Sequence, residues 1–228
     1  MDLNEVDRLL DPAPMPLEMG YERLPNGVLH VAVRTDMHRC TGEMFEWWFR
    51  FRPDTQKYIW WHPADHIFSD WVEGEPGTHV GSIHLVEERF GEMPPAALAI
   101  QFRDAGEFFS EPAHTSARQS ARLTAAVCGN VGFSHTPDRT EDGRVLGGRV
   151  LHIGRDTEWG CVLRSHFYMG QDLPALGKTA EEIAAMLPDE FGQALLKHCY
   201  DEFTFLSRFL PSLYIAEHRD TLPVSTPW

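Results

Sequence analysis

A histidine and a glutamate lie four residues apart in the segment HCYDEF. In a helix this spacing places His198 and Glu202 one turn apart on the same side, so both side chains can reach one cation. Both positions fall within an apolar stripe, between Leu195 and Phe205, where an unpartnered carboxylate would cost several kcal/mol or be neutralised. The pair is therefore either a structural ion pair or part of a metal site.

Two further histidines occur in the segment WWHPADH. Pro63 stops the preceding predicted strand, so His62 and His66 are expected where the chain leaves a sheet edge. Loops in such positions often carry ligands, although two histidines in a loop are also found in purely hydrogen-bonded structure. Either histidine could supply one nitrogen ligand.

An acidic pair lies on the predicted strand VGSIHLVEERF. Side chains alternate along a strand, so His84 and Glu88 share one face while Glu87 points to the other. Only one of the two glutamates can point at a pocket. One loop histidine, one strand glutamate and the helical pair would together form a mononuclear site with two nitrogens and two carboxylates, suited to Zn²⁺.

The elements that must position these residues follow from the hydrophobic pattern. From about residue 28, short runs rich in β-branched and aromatic residues are separated by Pro, Gly, Asp and Asn clusters, which predicts antiparallel strands and hairpins. The predicted strands are VLHVAVRT, MFEWWFRF, KYIWWH, THVGSIHLVEERF, ALAIQFRD, ARLTAAVCGNVGFSH, GGRVLHIGR and EWGCVLRSHFYMG.

A helical period replaces this pattern from Thr179 onward, with a break at Pro188 and a predicted end at Pro211. Apolar and site residues recur at steps of three and four and define one helix face, made of Phe191, Leu195, His198, Glu202, Phe205 and Phe209. The sequence therefore predicts an α+β helix-grip fold, in which a curved antiparallel sheet and a long C-terminal helix enclose a pocket.

Domain organisation and charge limit the possible functions of the 228-residue chain. The proline-rich residues 1–26 are predicted to form an N-terminal arm, and residues 27–228 one domain. The net charge of −14 repels phosphate backbones and anionic membranes, which excludes nucleic acid as a main partner. The chain shows neither a long apolar run nor the pattern of a signal peptide, so we expect a soluble, cytoplasmic protein. Its four cysteines form no CxxC pair and are expected to be reduced thiols.

Several segments resemble the family of 2,4-diacetylphloroglucinol hydrolase and phloretin hydrolase between about Thr41 and Leu210. They are GEMFEWWFRF, PDTQKYIWWHPADH, GSIHLVEE, GRVLHIGRDTEWGCVLRSHFYMG and LLKHCYDEF. The resemblance implies a zinc-dependent enzyme that hydrolyses the carbon-carbon bond between an acyl group and a phenolic ring. It also implies a Bet v 1-like helix-grip domain, in agreement with the periodicities.

The resemblance implies zinc ligands position by position. It makes His66, His198 and Glu202 ligands, and the fourth ligand falls best on Glu88, with Glu87 as the fallback.

Substrate-binding residues are implied in the same way. Tyr58 matches a tyrosine that holds the phenolic oxygen, His152 matches a pocket histidine, and Tyr168 or His166 stands for a second phenol-binding tyrosine. Ser69 occupies the position of a pocket asparagine. This difference and a shorter N-terminal segment lead us to expect a substrate other than diacetylphloroglucinol.

The implied reaction needs the ring to be held and protonated while water attacks the acyl carbonyl. We expect Tyr58 and His152 to orient and protonate the ring, with Glu202 or the water at the metal as base. The expected partner is a small aromatic ketone, and a homodimer is possible.

Two other functional classes remain open. A non-catalytic helix-grip protein that binds aromatic ligands would need the pocket but no convergence of the histidines and carboxylates. A mononuclear non-haem iron oxygenase would use His62, His66 and a carboxylate. Metal content separates the three classes: zinc for the hydrolase, iron for the oxygenase and none for the binding protein.

Overall fold

The computed structural model describes residues 1–221, so residues 222–228 of the predicted domain lie outside the described residues. One antiparallel sheet of eight strands has the order β1-β2-β8-β7-β6-β5-β4-β3. The strands are β1 (Gly20–Arg23), β2 (Leu29–His38), β3 (His66–Val72), β4 (Ile83–Glu88), β5 (Ala96–Arg103), β6 (Ala125–Gly132), β7 (Gly148–Thr157) and β8 (Gly160–Met169).

Five α-helices accompany the sheet in the described residues. They are α1 (Gly42–Phe51), α2 (Thr55–Trp61), α3 (Glu111–Gln119), α4 (Ala180–Met186) and α5 (Asp189–Glu217). The long helix α5 packs against β1 and β2 and against α1 and α2, and the main hydrophobic core lies between it and the sheet. The predicted α+β helix-grip architecture, an antiparallel sheet with a long C-terminal helix packed across it, is confirmed.

The predicted strands MFEWWFRF and KYIWWH are wrong, because these segments form α1 and α2. Their aromatic content favours strands, but both segments begin at strong helix caps. The Thr41 side chain accepts a hydrogen bond from the backbone N–H of Met44, and Asp54 accepts one from Lys57. The buried residues Phe45, Trp48 and Phe49 recur at a helical spacing. Capping and periodicity therefore outweigh the intrinsic strand preference.

Pro211 does not end α5, which continues to Glu217. A proline inside a helix lacks the N–H that would bind the carbonyl four residues earlier, here that of Ser207, and costs about 3 kcal/mol. The thiol of Cys40 donates to this carbonyl instead, at 3.8 Å. Leu210 is fully buried, so continued packing on the core stabilises the last turns of the helix.

The N-terminal segment covers the outer face of the sheet, opposite α5. Val6, Leu9 and Leu10 come from a 3₁₀ helix (Leu3–Leu10) and form a second hydrophobic cluster with residues of β6, β7 and β8. All ten residues of β8 are consequently buried, because both faces of this strand are covered. Among the described residues, no helix combines the length and apolarity needed to cross a membrane.

Arg164 of β8 holds the N-terminal segment in place. Its guanidinium donates to the carbonyl oxygens of Leu9 and Ala13, at 3.3 and 2.7 Å, and to Glu18 Oε1 at 2.7 Å. It also donates to the carbonyl of Asp11. Charged, buried hydrogen bonds of this kind are among the stronger polar interactions in proteins.

We expect Arg164→Met to lower the free energy of unfolding by about 3 kcal/mol, because it leaves a carboxylate and several carbonyls without their donor. Urea unfolding measures the change, and hydrogen exchange should rise in residues 9–18. Arg34→Met is the matched control, since Arg34 pairs with Arg164 in register but forms a more exposed ion pair. Equal effects of the two substitutions would contradict the anchoring role.

Candidate metal centre

Three elements meet at one end of the sheet and carry the four predicted ligands. His66 is the first residue of β3, Glu88 is the last residue of β4, and these two residues face each other in the strand register. A β-bulge between His66 and Phe68 interrupts the pairing directly after this point. Helix α5 passes over the same end and brings His198 and Glu202 into the cluster. All four side chains are buried.

Three of the four groups have ligand atoms spaced for a single small cation: those of His66, His198 and Glu202 all lie within 4.8 Å of one another. His66 Nε2 lies 3.6 Å from Glu202 Oε2 and 3.9 Å from Glu88 Oε1, and His198 Nε2 lies 3.7 Å from Glu88 Oε2. Four atoms placed tetrahedrally at about 2.0–2.2 Å from a zinc ion are separated from one another by about 3.3–3.6 Å. Glu88 faces the two imidazoles through different carboxylate oxygens, so its carboxylate would have to turn, and the cluster contract, for Glu88 to become the fourth ligand.

Both imidazoles are oriented for ligation. His66 Nδ1 donates to the carbonyl oxygen of Tyr58 at 2.8 Å, and His198 Nδ1 donates to Asp65 Oδ2 at 3.2 Å. Each bond occupies Nδ1, so Nε2 is the nitrogen that faces the cluster, and it would offer its lone pair to a cation once the imidazole is neutral. His66 Nε2 is buried and has no hydrogen-bond partner in the described part of the chain.

The buried carboxylates of the cluster require a compensating positive charge. Burial and the neighbouring Glu88 raise the pKa of Glu202 to about 8, against the opposing effect of His198. Burial acts to lower the pKa of His198, but the hydrogen bond to Asp65 and the charges of Glu88 and Glu202 outweigh it and raise the pKa to about 9. Burial holds the pKa of His66 well below its usual range. Without a cation, the site must take up protons to balance its carboxylates.

Tyr58 connects the cluster to an adjoining cavity. Its ring stacks on His66 with a centroid separation of 3.7 Å and an interplanar angle of 8°. Its hydroxyl donates a hydrogen bond to Glu88 Oε1. Burial and the charge of Glu88 raise the pKa of Tyr58 well above its usual value, so the hydroxyl keeps its proton at neutral pH.

The cavity lies between the sheet and α5, and the cluster forms part of its wall. Most of the wall is apolar or aromatic, with side chains that include Phe49, Trp61, Leu98, Phe102, Phe167 and Leu195. Polar groups come from Tyr58, His84, Glu88, His152, His198 and Glu202. An enclosed space of this composition suits a flat, partly apolar ligand with a few polar substituents.

His152 lines the cavity, as predicted for a pocket histidine. Its Nδ1 lies 2.8 Å from Ser165 Oγ, and burial lowers its pKa to about 3. The imidazole is therefore neutral at pH 7. A neutral imidazole can orient a phenolic hydroxyl through hydrogen bonding, but it is a poor proton donor.

Two of the predicted phenol-binding residues lie on the wrong face of the sheet. Phe167 and Met169 of β8 line the cavity, whereas His166 and Tyr168 point to the outer face because side chains alternate along the strand. There, His166 Nδ1 lies 2.9 Å from His30 Nε2, and the Tyr168 ring stacks on the His30 ring. Neither residue can contact a ligand in the cavity.

Other predicted residues take positions near the cluster. Ser69 does not line the cavity but contacts His84, which does. Glu87 is half-buried on the opposite face from Glu88 and does not join the cluster. His62 Nε2 faces Asp65 Oδ2 at 3.4 Å. Asp65 was not selected from the sequence. Its position in WWHPADH, directly before the candidate ligand His66, could have indicated that it belongs to the site.

The fold and the site together define a helix-grip protein with a buried histidine and carboxylate cluster beside an aromatic cavity. Residues 1–215 match the family model described as the DAPG hydrolase PhiG domain, and the chain belongs to this family. This match confirms the family resemblance seen in the sequence.

Curated relatives carry names of the same kind. The chain is 26% identical over 230 residues to a 2,4-diacetylphloroglucinol hydrolase of a Pseudomonas species, covering 93% of this chain and 76% of the relative. It is 25% identical over 219 residues to phloretin hydrolase of Eubacterium ramulus, covering 89% of this chain and 73% of the relative.

Solved structures with a similar outline include protein Ms6760 from Mycobacterium smegmatis, with a TM-score of 0.45 and 11% identity over 88% of this chain and 99% of that one. Ara h 8.0201 has a TM-score of 0.43 and 11% identity over 82% of this chain and 99% of that one.

The two tyrosines allow a direct test of these placements. The Tyr168 hydroxyl is buried without a partner in the described residues, so Tyr168→Phe should leave the free energy of unfolding unchanged or raise it by up to about 1 kcal/mol. Tyr58→Phe removes the donor to Glu88 and should lower it by about 1–3 kcal/mol. Urea denaturation of both variants gives the comparison. Equal destabilisation by the two substitutions would contradict the assignment of their hydroxyl environments.

Proposed function

We propose that this protein is a zinc-dependent hydrolase that cleaves the carbon-carbon bond between an acyl group and a polyphenolic ring, releasing a phenol and a carboxylic acid. The observation that carries the proposal is the convergence of the His66 and His198 imidazoles with Glu202 beside an aromatic cavity, with Glu88 at 3.9 and 3.7 Å from the two imidazoles. The names of the relatives support a substrate of the acylphenol class. A small aromatic ketone is the proposed ligand.

His66, Glu88, His198 and Glu202 would hold the metal ion. A zinc ion so held polarises a carbonyl oxygen and lowers the pKa of a water molecule to roughly 7. Tyr58 restrains Glu88 through its hydroxyl. Glu202 has the Cys199 thiol as its neighbour and a pKa raised to about 8, and it is the carboxylate we propose as the base for the attacking water.

The ring must leave as something more stable than an aryl carbanion. A polyphenol ring can ketonise when the carbon that bears the acyl group takes up a proton, so that the ring departs as a stabilised dienolate. Water then supplies the hydroxyl group of the carboxylic acid, and the ring carbon keeps the proton. The chain must hold the phenolic oxygens and donate that proton.

We assign these two tasks to Tyr58 and His152. The Tyr58 hydroxyl is protonated, lines the cavity and lies beside the cluster, so it is the proposed proton donor. His152 is neutral and is held through Nδ1 by Ser165. Its proposed role is to orient a phenolic oxygen.

The two alternative classes are less well supported. A simple binding protein has no need for the convergence of His66, His198 and Glu202, which the described residues display. The oxygenase arrangement requires His62 and His66 to share a carboxylate, but His62 groups with Asp65 and His198 instead. A cytoplasmic location and a homodimer stay predictions.

The first test is metal content. We expect about one zinc per chain by elemental analysis, and His198→Ala and Glu202→Ala should each lower zinc occupancy strongly and abolish turnover in a folded protein. His218→Ala, at the end of the same helix, is the matched control and should retain zinc. Full zinc and full activity in both cluster variants would show that α5 carries no ligands, and bound iron would favour the oxygenase.

The second test concerns the ketonisation of the ring. An acylphloroglucinol should be hydrolysed, while its O-methyl ethers should not, since methylation removes the ring tautomer but barely changes the carbonyl. Release of the free phenol and the carboxylic acid is followed by chromatography, with simple aryl esters as comparison substrates. Cleavage of esters without cleavage of acylphenols would refute the carbon-carbon hydrolase while leaving the metal site in place.

A further inference from the structure

His84 of β4 is a buried histidine of the cavity wall that stands apart from the four clustered side chains. Only 2% of it is exposed. Its imidazole stacks on the Trp71 ring, with a centroid separation of 4.1 Å and an angle of 14°, and the Tyr58 ring meets it edge-on at 5.1 Å. These contacts fix the plane of the imidazole at the point where it borders the cavity.

A short hydrogen-bond chain determines which nitrogen of His84 carries the proton. Ser69 Oγ lies 2.9 Å from the carbonyl oxygen of Pro53 and 2.8 Å from His84 Nε2. The carbonyl can only accept, so the single hydroxyl proton of Ser69 is donated to Pro53. Ser69 Oγ is therefore the acceptor for an N–H on His84 Nε2, and a neutral imidazole so bonded keeps its lone pair on Nδ1.

His84 stays neutral because no neighbouring group stabilises a positive charge on its imidazole. Burial alone lowers the pKa of His84 to about 3, and none of the described carboxylates forms an ion pair with it. Nδ1 has no hydrogen-bond partner in residues 1–221. Within the described residues, His84 Nδ1 is thus a hydrogen-bond acceptor that remains available at the cavity wall.

We propose that His84 determines substrate specificity by accepting, at Nδ1, a hydrogen bond from a ring hydroxyl of the phenolic ligand, and that Ser69 is the positioning residue that sets the tautomer. The identity of the ligand as a phenol rests on the proposed function. A neutral imidazole nitrogen pairs with a phenolic O–H but not with a methyl ether or a ring C–H. A buried acceptor that is left unpaired rejects analogues that lack the hydroxyl.

A second polar group, the Tyr58 hydroxyl, lies next to His84 in the cavity wall. Its single proton is donated to Glu88, so its oxygen, like His84 Nδ1, can accept a hydrogen bond from a ring hydroxyl. A ring with several hydroxyl groups satisfies both. A ring with a single oxygen substituent leaves one of the two buried groups unpaired, which favours polyhydroxylated rings.

The test uses phloroglucinol and its trimethyl ether, 1,3,5-trimethoxybenzene, as ligands without an acyl group, so that no turnover is involved. Calorimetric titration of the full chain should show that the wild-type protein prefers phloroglucinol. His84→Phe keeps an aromatic ring but no acceptor, and should weaken phloroglucinol binding by about tenfold to a hundredfold, with little change for the ether. His38→Phe, at an exposed histidine of β2, is the control and should change neither affinity.

Ser69→Ala provides the second variant and a readout specific to positioning. Nitrogen-15 NMR of the histidine side chains should show His84 protonated at Nε2 in the wild-type protein, and this signature should be lost or mixed in Ser69→Ala. Phloroglucinol binding should fall by several-fold in the same variant.

Either of two results would overturn the proposal: wild-type protein that does not bind phloroglucinol, or His84→Phe protein with unchanged preference for phloroglucinol over its ether. If the His84→Phe chain does not fold, an Nδ1-protonated His84 in the wild-type NMR spectrum overturns it equally. The proposed hydrolase fails separately, if binding depends on His84 but no acylphenol is cleaved.

Discussion

The burial of two carboxylates beside two imidazoles is the constraint around which this protein is organised. Glu88 and Glu202 lie in the same small volume, shielded from water by α5 and the aromatic wall. Two uncompensated carboxylates in such surroundings would be strongly unfavourable, so the cluster is stable only with protons or a cation between them. Since the four residues come from β3, β4 and α5, the same requirement links the position of the helix to the end of the sheet.

Packing elsewhere in the fold holds α5 and the end of the sheet in position. Helix α5 runs through Pro211 without a break because the carbonyl freed by the proline finds the Cys40 thiol and because Leu210 stays in the core. On the outer face, the N-terminal segment buries β8 from the other side, with Arg164 as its anchor. The sheet is thus packed on both faces, which limits how far its strands can shift beneath the helix.

The residues of the buried cluster could be predicted from the sequence more readily than those of the cavity wall. His198 and Glu202 were recognisable from a spacing of four within an apolar stripe. Alternation showed that only one of Glu87 and Glu88 could join them, and the family resemblance favoured Glu88. His166 and Tyr168 were assigned from the family resemblance alone. The hydrophobic pattern could not correct that assignment, because β8 is buried on both faces and burial does not show which side faces the cavity. Likewise, α1 and α2 were mistaken for strands because their aromatic content obscured the capping residues. The role of Ser69 as a partner of His84 depends on contacts between neighbouring strands, which no single-chain pattern encodes.

The loop segment WWHPADH, which runs from the end of α2 to the first residue of β3, does more than supply one side chain to the cluster. Its last residue, His66, is oriented by the carbonyl of Tyr58, while Asp65 orients His198 across the gap to α5. Asp65 is itself fixed, since its backbone N–H donates to His62 Nδ1. Both imidazoles are therefore aligned by one short stretch of chain, although only one of them belongs to it. A shift of this loop would misalign both nitrogens at once, which explains in physical terms why the motif is so dense in polar residues at the edge of an otherwise aromatic cavity.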